Sequence, residues 1–83
     1  MVGHKLFRQS FTIQAGDNIR ITQNIALNGY MALGFSTIAS NQPVHVFPTE
    51  WQIANNIAYI TLKNSYTQAI STDIVFRILY LKS

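Results

Sequence analysis

Residues 72–81, Thr72-Asp73-Ile74-Val75-Phe76-Arg77-Ile78-Leu79-Tyr80-Leu81, are the longest and most β-prone segment of the chain. β-branched and aromatic side chains fit the pleated surface of a strand. The apolar run from Ile74 to Leu81 is broken by Arg77 and falls far short of the roughly 20 residues that a membrane-spanning helix needs. Left as an exposed edge, such a strand templates aggregation. Its place is therefore inside a sheet or against a neighbouring subunit.

Working back from this segment, Ile57-Ala58-Tyr59-Ile60-Thr61-Leu62 reads as a second strand, preceded by the turn signal Asn55-Asn56. Thr49 to Ile53 fits either a short strand or a turn of helix. Val44 to Phe47 is extended and closed by Pro48. From Tyr30 to Ala39 the apolar residues are too dense for alternation, the pattern of a strand covered on both faces, with Gly34 marking a bulge or a close backbone approach. Residues 23–29 read as a loop. At the N-terminal end, Phe7, Phe11 and Ile13 alternate with Arg8, Ser10, Thr12 and Gln14, so residues 6–14 form a half-buried strand. Ala15-Gly16-Asp17-Asn18 carries turn chemistry, and Ile19 to Thr22 alternates again, predicting a hairpin. Residues 1–5 have no apolar anchor, the situation in which termini fray. The sum is an all-β fold: residues 1–83 as one small antiparallel sandwich, jelly-roll-like, of about six to seven strands.

Composition narrows the function. The chain has 83 residues, no cysteine, 11% charged residues against roughly 25% in an ordinary soluble domain, and 48% hydrophobic residues. A core this small is thin without disulfides or metal, which favours self-association over catalysis. The net charge of +3 reflects few acids. Lys5, Arg8, Arg20, Lys63, Arg77 and Lys82 are scattered, without the run that marks a nucleic-acid or membrane patch. Neither a secretory signal nor a myristoylation glycine is present at the N-terminus, and no stalk, repeat or linker is seen.

Several features recur together: SFTIQAGDNIRI over 10–21, Gly29-Tyr30 opening a strand that contains Gly34, ITLKN over 60–64, and a terminal VFRILYLKS over 75–83. In this order they resemble the small C-terminal β-sandwich modules of tailed-bacteriophage virion proteins, among them head-fibre, tail and baseplate components. The resemblance spans most of the chain and lies in strand and turn patterns. It implies a virion location, a structural role, a homo-oligomer, usually a trimer, and other virion proteins as partners. No catalytic residue comes with it. Modules of that group usually extend from a longer anchoring region, which these 83 residues do not include.

The side-chain inventory points away from an enzyme. Asp17, Glu50 and Asp73 are the only acids, too few and too scattered for a paired-carboxylate site. His4 and His45 have no triad partners and no second ligand at metal spacing, so neither cofactor nor metal is expected, short of His45 copies meeting on an oligomer axis. Three residues stand out as ligand or interface candidates. Trp51 lies among Thr49, Glu50, Gln52, Asn55 and Asn56, and Tyr66 among Asn64, Ser65, Thr67 and Gln68. Each has the aromatic platform and amide donors of a carbohydrate site on a host surface, but packing at a core or subunit interface is the preferred reading. Arg77 either faces water as a guard against aggregation or is buried and needs an acceptor. Glu50, a carbonyl cluster or an acid on a neighbouring subunit would serve. A carbohydrate- or receptor-binding module is thus the alternative to a virion structural protein, and a nucleic-acid-binding barrel, with only Phe7-Arg8 and Tyr59 to Lys63 as aromatic and basic neighbours, comes third.

Overall fold

The computed structural model describes residues 2–83, so Met1, at the head of the 1–5 segment, lies outside them. Among the described residues there are six strands and no helix: β1 (Val2–Ile13), β2 (Asn18–Asn24), β3 (Tyr30–Ser40), β4 (Val46–Ala54), β5 (Ile57–Asn64) and β6 (Ile70–Lys82). They form two three-stranded sheets, β1-β6-β3 and β2-β5-β4, with every neighbouring pair antiparallel. The fold is a small all-β sandwich. β6 is the central strand of the first sheet, where its β-prone sequence demands pairing on both sides.

The core lies between the two central strands. From β6 come Ile74, Phe76, Ile78 and Tyr80, and from β5 Ala58, Ile60 and Leu62, all buried, with Ile13, Ile21, Ile25 and Val46 closing around them. Their period of two turns one side of each strand inward. Phe7 stacks on Phe76 at 5.4 Å and Phe35 packs on it at 5.9 Å, which ties all three strands of the first sheet through their inner face. Phe7, Phe11, Tyr30 and Phe35 are partly buried against this core.

The predicted hairpin between the first two strands does not form. β1 pairs with β6 and β2 with β5, so the Gly16 turn, at φ +75°, carries the chain from one sheet to the other. Both strands are half-buried alternators, and alternation is the same whether two strands lie side by side or in facing layers. Only the β4–β5 connection stays within a sheet. There Asn55 and Asn56 adopt φ of 52° and 63°, the left-handed pair that a two-residue hairpin turn needs. β1 also starts earlier than its alternation indicates, at Val2, and Gly3 pairs with Tyr80.

Two more expectations are corrected. β3 is an edge strand, not one covered on both faces, and its register shifts twice, at Leu33 and at Ser36. Each bulge resets the parity, so the inward residues are Tyr30, Ala32, Phe35 and Ile38, and the apparent density of apolar residues comes from two faces read in one line. Gly34 stands at the first bulge, as its isolation in a strand implies. Pro48 does not end a strand but lies inside β4, beside a register shift before Glu50. β4 is also an edge, where a missing N–H costs no ladder bond.

Candidate functional site

The three candidate residues occupy three separate places. Trp51 is on β4, opposite Ile60, at the edge where β4 approaches β3. Its indole is not part of the core: 53% of the residue is exposed. With Phe35, Ser36, Thr37, Ile38 and Pro48 it lines an open groove of about 210 Å³ along this edge. The second register shift of β3, at Ser36, and that of β4, beside Pro48, both lie along this groove.

Tyr66, in the β5–β6 connection, lies against His45 with ring centroids 4.2 Å apart. The amide expected to serve a sugar beside it is committed elsewhere. Asn64 is fully buried, and its Nδ2 donates to the carbonyls of Ile13 (3.0 Å), Gln14 (3.3 Å) and Gln68 (3.0 Å) while its Oδ1 accepts from the Tyr66 N–H (2.8 Å). Asn64 thus staples the end of β1 to the β5–β6 connection. At the same end, Ser40 is buried and donates to the Val46 carbonyl at 2.6 Å, closing the β3–β4 crossing. At the other end, the Tyr80 hydroxyl donates to the Ile25 carbonyl at 2.6 Å, and burial pushes its phenol above the ordinary 10.0.

Arg77 points away from the core, on the outer face of the first sheet, opposite Leu6 of β1 and Thr37 of β3. Its Nε is buried without a hydrogen-bond partner. Glu50 does not serve it, because Glu50 lies on the outer face of the second sheet, around a shallow hollow with Arg20, Tyr59 and Thr61. Asp73 does not serve it either. Ser10 donates to Asp73 at 2.6 Å, and Arg8 stands 3.8 Å from the same carboxylate.

Around Arg77 lies a surface that the residue patterns did not single out. Val75, Leu79 and Leu81 of β6 face outward, joined by Leu6 of β1 and by Met31 and Leu33 of β3, each of these last three at least half exposed. The signal for it is in residues 72–81: apolar side chains occupy both parities of β6, and the sandwich covers only one. The outer face of the second sheet differs in kind. Its outward positions include Arg20, Thr22, Asn24, Glu50, Gln52, Tyr59, Thr61 and Lys63, with Phe47 and Ile57 as apolar members, so it is mostly polar.

Among the described residues, no three His, Asp or Glu side chains gather where a metal ion could be held. Comparison with family models, with curated proteins and with solved structures finds no match.

Proposed function

We propose that this chain is a non-enzymatic structural module that works by self-association, a small component of a bacteriophage particle of the head-fibre or tail kind. The observation that carries the assembly role is the asymmetry of the two outer faces. One is mostly polar, and the other exposes Leu6, Met31, Leu33 and Leu81 around a guanidinium that lacks a partner for its Nε. Contiguous apolar surface of this kind marks a protein interaction site. The virion assignment rests on the resemblance of the strand and turn patterns to phage modules. Its test is proteomic: particles purified on a density gradient should carry peptides of this chain in a fixed ratio to the major capsid or tail protein. Peptides abundant in the lysate but absent from banded particles overturn the assignment.

A second reading rests on Trp51. An indole more than half exposed beside a groove lined by Pro48, Ser36 and Thr37 is the kind of platform on which a sugar ring stacks. As the single tryptophan of the chain, it reports its own occupancy by fluorescence. A saturable change on adding host-surface glycans, lost in Trp51→Phe, favours this receptor-binding role.

A further inference from the structure

We infer that Trp51 is the midpoint of a binding site for a neutral oligosaccharide, with one sugar residue in the groove between β3 and β4 and the next in the hollow on the outer face of the β2-β5-β4 sheet. The inference rests on the Trp51 platform reading above and adds to it a second subsite, the charge of the ligand and its minimum length.

Local pairing sets the two hollows on either side of one residue. Thr49 has no partner in the β4–β5 ladder, so Pro48, opposite Leu62, and Trp51, opposite Ile60, share the parity that turns toward the other sheet. Both line the groove, whose far wall is the Phe35 to Ile38 stretch of β3. Glu50 and Gln52, which flank Trp51 in sequence, have the opposite parity and line the outer hollow with Arg20 and Tyr59. Trp51 is the one residue that borders both. Because β4 is an edge strand, no strand of its own sheet lies beyond it to block the passage from one hollow to the other.

Chemistry selects the occupant. The groove offers an indole and a proline for the C–H face of a ring, beside Ser36 and Thr37 at the β3 bulge, and carries no charge. The hollow offers a guanidinium, a carboxylate and an amide, each with two polar atoms side by side. Hydroxyls on adjacent ring carbons suit such groups, because each hydroxyl can donate to Glu50 and accept from Arg20. A peptide backbone presents its donors and acceptors singly. One acid and one base cancel, so the site as a whole favours neither an anion nor a cation. The groups are also free to bind. The Arg20 guanidinium rests over the Tyr59 ring, 5.7 Å from its centroid, and among the described residues it forms no ion pair with Glu50. The hollow at the far end of the first sheet is different: there Ser10 donates to Asp73 at 2.6 Å and the Thr12 and Ser71 hydroxyls share a bond of 2.7 Å, so its polar groups are spent on one another.

NMR titration, which reaches millimolar constants, tests the site with glucose, galactose and N-acetylglucosamine ligands of one to four residues. At least one series should bind, gain about tenfold in affinity between one residue and two or three, and then level off. Glu50→Gln and Arg20→Gln should each remove about tenfold from the longer ligand and leave the single sugar unchanged. Lys63→Gln, on the same outer face but outside the hollow, should change neither. Trp51→Ala should abolish both, with the amide spectrum of the folded sandwich retained. Affinity that ignores ligand length and the Arg20 and Glu50 variants, or that is higher for a sialylated trisaccharide, overturns the neutral two-subsite site and leaves Trp51 as a single platform. Shifts at Trp51 with a proline-rich peptide and with no sugar, or with no ligand at all, overturn both.

Discussion

Asn64 is the residue whose chemistry the fold depends on most. A primary amide has two donors and one acceptor oxygen, and here they serve three carbonyls and one backbone N–H, the bond to Ile13 buried and the other three partly so. Truncation leaves the buried Ile13 carbonyl without this partner and the partly buried groups to compete for water, at about 1–3 kcal/mol for a buried group. Asn64→Ala should therefore lose roughly 3 kcal/mol, seen as a fall in Tm of at least about 12 °C in a domain of this size. A fall under about 4 °C, measured by circular dichroism, shows that the staple is dispensable. Sequence alone made Asn64 part of a sugar-binding kit, because an asparagine beside an aromatic looks the same whether its amide faces solvent or closes a sheet crossing. Trp51 is the reverse case. Its polar neighbours along the chain are those of a surface residue, and the edge of β4 leaves it there.

At the scale of elements, what could be read was whatever depends on near neighbours in sequence. The β6 stretch, the β5 strand and the Asn55-Asn56 turn all belong to this class. The turn carries its own prediction. Both of its asparagines are in the left-handed region, which costs an alanine about 1 kcal/mol or more. Replacing both with alanine should destabilise the domain by about 2 kcal/mol, whereas Asn56→Gly should stay within about 0.5 kcal/mol of the wild type. Urea unfolding of both variants decides it: equal losses mean that the turn conformation does not limit stability. What could not be read depends on partners distant in the chain. β1 and β2 alternate like a hairpin yet lie in different sheets, and the bulges at Leu33 and Ser36 hide the parity of β3. Neither a sheet assignment nor a bulge leaves a mark in the local period.

The whole molecule follows from these crossings. Because all connections but β4–β5 pass between sheets, the layers are bound at both ends, and one continuous core forms in a chain of 9.4 kDa without disulfides. The result is an elongated body, 45 × 19 × 17 Å, with a long outer face on each side. So thin a sandwich has little surplus stability, and the apolar outer face around Arg77 offers more burial only through association. Folding and assembly are then linked, since a partner that binds the folded state alone stabilises it by mass action. The most direct measurement is solution mass by light scattering across a hundredfold dilution of the purified chain. The self-association account predicts a mass that holds at a multiple of 9.4 kDa into the low micromolar range. A mass of 9.4 kDa at every concentration contradicts it and moves the function to the Trp51 groove.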